Sequence, residues 1–239
     1  MAMYKKTLQV ALGLSIALLG AAAYAKTLTG TNVSYTFDES ALGQFGTAAL
    51  SASGDSLVFS PLSPNGFMAT TSGSGSAFET IHVTVTANTG YQLSAFNLSE
   101  TGGYSLSGDG GVDVTGQFGA LDVEGTTNNN QDYLSATIVA PPDSFASTSS
   151  GSWAAQAAIT LPTTGWGGVD GSVGSVKLTI SNQLDAFANL GSASINKDSI
   201  RVSAFTTAVT PVPEAQTYAM MLVGLGLVGF MVRRTRARV

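Results

Sequence analysis

Glu79-Thr80-Ile81-His82-Val83-Thr84-Val85-Thr86-Ala87 alternates apolar and polar side chains, with Ile81, Val83 and Val85 in one set and His82, Thr84 and Thr86 in the other. Successive side chains of an extended chain point to opposite faces, so this stretch predicts a strand with one face buried and one face wet. Asn88-Thr89-Gly90 then supplies turn residues, and Tyr91 to Glu100 reads as the return strand. Its apolar set changes from Tyr91, Leu93 and Ala95 to Phe96 and Leu98. A change of face within one strand predicts a β-bulge near Ala95.

The same signals recur along the chain. Further strands are expected over Asn32 to Phe37, Ser56 to Ser60, Val112 to Phe118, Tyr133 to Val139, Ala154 to Leu161, Ser175 to Ile180 and Ser199 to Phe205. Between them lie turn-forming stretches at Thr71 to Ser76, Gly102 to Gly111, Gly125 to Asn130, Pro141 to Gly151 and Gly165 to Gly174. Short strands with frequent turns predict an all-β fold, an antiparallel β-sandwich ectodomain, with a barrel or β-solenoid as the alternative. Gly-Gly-Val-Asp occurs twice, at Gly110 to Asp113 and Gly167 to Asp170, and a shared turn chemistry accounts for it as well as duplication does.

The two ends differ from this body. Lys5 and Lys6 precede an apolar core from Leu8 to Leu19, and Ala23-Tyr24-Ala25 presents the small residues that signal peptidase accepts, so residues 1–25 read as a signal peptide cut before Lys26. At the other end, Pro211-Val212-Pro213-Glu214 is an extended hinge, because each proline lacks a donor and disfavours helix at the residue before it. Ala215 to Val232 carries no charge and, as a helix, would be about 27 Å long, close to the thickness of a bilayer core. Arg233, Arg234, Arg236 and Arg238 follow, and such a cluster resists translocation, which makes 215–232 a single transmembrane helix with a stop-transfer end at 233–238. Residues 26–210 are then the exported domain. Gly224-Leu225-Gly226-Leu227-Val228-Gly229 matches a dinucleotide-binding spacing, but no acid follows it before the chain's last residue.

The order of Pro-Glu motif, hydrophobic span and arginine cluster resembles the PEP-CTERM sorting signal of Gram-negative bacteria. Val212-Pro213-Glu214, Tyr218-Ala219-Met220-Met221 and Gly224-Leu225-Gly226-Leu227 carry the resemblance, which is confined to 211–238. Ala215 stands where that family most often has a second proline. The resemblance implies recognition by exosortase, a membrane-embedded cysteine transpeptidase that cuts near the Pro-Glu and passes the protein to the envelope surface or beyond. It also implies the company of exopolysaccharide. Exosortase and signal peptidase are thus the expected processing partners, and the membrane a transient one.

With both ends removed, Lys26, Lys177, Lys197 and Arg201 face fourteen acids between Asp38 and Asp198, a net charge of −10. A surface so short of cations is unsuited to nucleic acid phosphates and to anionic lipid. The chain has no cysteine, which excludes thiol catalysis and cysteine-ligated metal and leaves the fold to its core and sheet hydrogen bonds.

Catalytic signals are sparse. His82 is the single histidine and lies on the polar face of its strand, a poor setting for a triad. Asp109 and Asp113, in Gly108-Asp109-Gly110-Gly111-Val112-Asp113, put two carboxylates in a glycine-rich turn where calcium is the suitable ion, although Asp and Gly are also ordinary turn formers. No other cofactor is indicated. Trp153 and Trp166, with Tyr91, Tyr104 and Tyr133, offer rings for stacking on sugars or for the core. The leading expectation is a noncatalytic surface or extracellular-matrix protein, associated with exopolysaccharide or biofilm. A carbohydrate-binding module and a secreted polysaccharide hydrolase are the alternatives.

Overall fold

The computed structural model describes residues 24–62, 66–125, 132–140, 150–168, 170–209 and 215–236. Most of the expected signal peptide (1–23), the expected hinge (211–214) and Arg238 lie outside them. Among the described residues there are ten strands: β1 Ala25–Thr29, β2 Val33–Asp38, β3 Thr47–Leu50, β4 Ser56–Ser60, β5 Met68–Thr71, β6 Ser74–Ala87, β7 Tyr91–Asp122, β8 Tyr133–Thr137, β9 Ser150–Thr160 and β10 Ser175–Ala208. A helix, α1, follows at Ala215–Arg236. All strand pairings are antiparallel and connect into one ten-stranded sheet.

The all-β expectation holds, but the sheet is continuous. β7 and β10, of 32 and 34 residues, pair with each other from Tyr91 opposite Ala208 to Asp122 opposite Val176. Residues 102–111, expected as a turn, are strand, so two predicted strands merge in β7 and two more in β10. The physical reason is glycine at a fold line. Gly108 and Gly191 pair across the ribbon, with φ of 86° and 91°, and β10 changes register between Ala188 and Leu190. On the neighbouring strand, Gly73 lies between β5 and β6 and its carbonyl accepts from the Ala188 amide at 2.7 Å. Turn chemistry is present, yet it bends a sheet instead of ending strands.

Folding at that line makes two facing leaves. One holds β1, β2, β6, β8, the first half of β10 and the second half of β7; the other holds β3, β4, β5, β9 and the remaining halves. Their facing sides are apolar. Phe37 of β2 and Phe59 of β4 meet edge to face at 6.4 Å, and Phe45 packs on Phe59 at 5.4 Å and on Phe67 at 5.7 Å. Val139 and Gln156 exchange backbone hydrogen bonds of 3.0 and 3.1 Å, which joins the leaves along one edge. The sandwich expected from the sequence is thus a single sheet doubled over.

The alternation at Glu79 to Ala87 is borne out. Ile81, Val83 and Val85 are buried while His82 and Thr86 are exposed. The expected bulge is also present: Ala95 pairs Phe205 and Leu93 pairs Thr206, leaving Ser94 as the extra residue. His82 Nδ1 lies 3.1 Å from the Thr179 hydroxyl, and burial together with the Lys177 charge holds its pKa below the ordinary histidine value. A histidine whose folded pKa is depressed supports the fold above its unfolded pKa, near 6.5, and loses that support as pH falls toward the folded value. His82→Gln is expected to flatten the stability profile below about pH 6.5, read by urea titration at pH 7.5 and pH 5; an unchanged slope would exclude this role.

Candidate functional site

Helix α1 begins at Ala215, directly after the hinge, and continues through Arg233, Arg234 and Arg236 to its end. Arg233, Arg234 and Arg236 therefore belong to the helix, whereas the sequence placed them beyond a helix ending at Val232. Arginine is a good helix former, so nothing in the cluster stops the backbone there. The side chains described in α1, at 219–228 and 233, are exposed. Among the described residues no helix is long and apolar enough to cross a membrane.

At the cleavage position expected from the sequence, Ala25 is the first residue of β1 and pairs with Asp38, while the Glu39 amide donates to the Tyr24 carbonyl at 3.0 Å. Cleavage before Lys26 leaves the pairing from Lys26 with Phe37 to Thr29 with Ser34 in place. Ala23, Val212, Pro213, Glu214 and Arg238 lie outside the described residues.

The aspartates proposed for calcium sit in a strand, not a turn. Asp109 faces Leu190 and Asp113 faces Asp185 across the ribbon, and their α-carbons, four residues apart in extended chain, are separated by about 13 Å. Asp109 Oδ2 accepts from Asn189 Nδ2 at 3.1 Å, and Asp113 Oδ1 from the Val114 amide at 2.9 Å. The described residues contain no group of three or more His, Cys, Asp or Glu side chains placed to hold a metal ion. The second Gly-Gly-Val-Asp lies in a loop, with Gly167 donating to buried Asp122 Oδ2 at 2.8 Å, so the two copies differ in structure.

The tryptophans do not form a platform. Trp153 and Trp166 are 3% and 6% exposed, and only Tyr91 and Tyr133 of the five candidate rings are open to solvent. Trp153 instead walls a polar cluster between the leaves, and its Nε1 donates to the Asn196 carbonyl at 3.1 Å.

That cluster was not legible as a site in the sequence. Glu100 of β7 and Asn182 and Lys197 of β10 are 0%, 0% and 3% exposed. Lys197 Nζ donates to Glu100 Oε2, and Asn182 Nδ2 donates to Glu100 Oε1 at 2.7 Å. Asn182 Oδ1 is buried without a partner. Lys197 Nζ lies 5.3 Å from the Phe67 ring centroid and 5.5 Å from that of Trp153. Burial pushes the Lys197 ammonium below the ordinary lysine range, and the Glu100 charge opposes that shift. The one available signal was register. Leu98, Glu100 and Gly102, Ile180, Asn182 and Leu184, and Ala193, Ile195 and Lys197 are inward series in which a polar residue takes an apolar slot.

The described body is all-β, and helix α1 follows it with arginines in its last turns. Residues 211–236 match the PEP-CTERM protein-sorting motif, which makes this an exported protein sorted through exosortase. No curated protein matches the chain as a whole.

Proposed function

We propose that the protein is a noncatalytic component of the cell surface or extracellular matrix, delivered there by exosortase and associated with exopolysaccharide or biofilm. The sorting motif at 211–236 carries this reading, because it supplies the address. The net charge of −10 on the body keeps a secreted domain soluble and off anionic lipid. Signal peptidase cuts before Lys26. The sorting tail at 211–236 then keeps the precursor at the membrane, and Val212, Pro213 and Glu214 are the segment exosortase grips.

The mature protein is expected to end at or beside Val212 to Glu214, read as its C-terminal residue by mass spectrometry; a C-terminus at Val239 would overturn the processing. Incubation of the mature protein with acidic and neutral polysaccharides is expected to release no new reducing ends, whereas their release would make it a hydrolase. Of the five rings named for the carbohydrate-binding alternative, Tyr91 and Tyr133 are exposed.

A further inference from the structure

We propose that Lys197 and Asn182 join through an intramolecular isopeptide bond, formed by the protein itself with Glu100 as the proton carrier, which ties the two leaves of the sheet together covalently. The observation behind it is an amine and a primary amide held by the two oxygens of one buried carboxyl group, with Phe67 and Trp153 excluding water. Asn182 lies in the first leaf; Lys197 and Glu100 lie in the second. The bond would replace what the chain lacks, a disulfide across its core.

Space has been made for this approach. On β7 the cross-strand partners of both reacting residues are glycines, Gly116 opposite Asn182 and Gly102 opposite Lys197. A Cβ on Gly116 would stand 3.0 Å from Asn182 Oδ1, and one on Gly102 would stand 2.7 Å from the Trp153 ring. A register shift between Lys197 and Ser199 leaves Asp198 as an extra residue and turns the strand beside the amine.

The chemistry balances without a co-reactant. In a site closed to water, the ion pair competes with its neutral form, because each buried charge has lost its hydration. Lys197 passes one proton to Glu100 and becomes a free amine, the nucleophilic state that burial promotes in lysines. Rotation of the Asn182 amide about its Cβ–Cγ bond lets the unpartnered Oδ1 take a hydrogen bond from the Glu100 acid and polarises Cγ. The Nζ–Cγ bond forms and the Cγ–Nδ2 bond breaks. Nδ2 leaves as ammonia with a proton relayed by Glu100, which then takes the second proton from Nζ. Glu100 ends neutral, as a donor to the new amide, and no buried charge remains.

The test is proteolysis of the full-length chain followed by mass spectrometry. A linked Lys197 resists trypsin, so the expected product is one peptide, Leu178 to Arg201, lighter by one ammonia. A further cut before Asp185 and Asp198 should leave Leu178 to Leu184 still joined to Asp185 to Lys197. Asn182→Asp should give the same linked mass, by loss of water instead of ammonia. Asn182→Ala and Glu100→Gln should give ordinary cleavage after Lys197. Complete cleavage at Lys197 in the wild-type protein, or ammonia loss without a branched peptide, would overturn the proposal whatever the variants do.

Discussion

Gly191→Val is expected to destabilise the exported domain by about 4 kcal/mol, most of the margin of a typical domain. Gly191 has φ of 91°, a conformation that L side chains rarely adopt, and a Cβ there would stand 1.7 Å from the Ser107 carbonyl oxygen. That atom is backbone in the partner strand, so it cannot swing aside. Gly108, directly opposite, is in the same state, with a Cβ position 2.1 Å from the Leu190 carbonyl. Either residue could relieve the clash only by straightening the ribbon, and a straight ribbon separates the leaves. Gly171→Ala is the matched control: its φ is 74° but nothing lies within 4 Å of the new Cβ, so about 1 kcal/mol is expected. Urea midpoints of the two variants decide it. Equal losses would mean that the fold line tolerates a side chain.

Removal of Ala215 to Val239 is expected to abolish surface delivery, leaving the protein in the periplasm or the medium. The deletion keeps Val212, Pro213 and Glu214 but takes away α1 and the arginines. Exosortase is embedded in the membrane, and confinement of the cleavage segment beside it raises the effective concentration by orders of magnitude over free diffusion. Loss of the helix removes that confinement, so the effect is close to all or none. Fractionation and intact mass read the outcome. Unchanged surface delivery with unchanged processing in the deletion would refute the sorting role. The domain from Lys26 onward should still fold, since no described residue of α1 belongs to its core.

The predicted strands survive in position more than in number. Ser56 to Ser60 is observed with the predicted bounds, while β1, β3 and β5 escaped notice. β1 and β3 are edge strands of four or five residues whose residues at the described burial alternate only between exposed and intermediate. Such edges carry no strong apolar period for a sequence reading to catch. The bulge at Ser94 was visible because a face switch leaves a phase change in the apolar pattern itself. The bends at Gly108 and Gly191 leave only glycine, and glycine marks a turn and a folded ribbon alike.

What the sequence alone determined was local and periodic: strands from the alternation, a bulge from a slip of phase, and an address from a tail whose parts are contiguous in the chain. Whether the strands formed two sheets or one, and which polar residues met inside, depended on partners far apart. Asn182 and Lys197 are fifteen residues apart on one strand, about 50 Å if extended, yet both bond to Glu100. A polar residue in an inward slot announces itself in the register. Its partner is chosen by where the sheet folds, and that is decided by backbone contacts between β7 and β10 across the whole molecule.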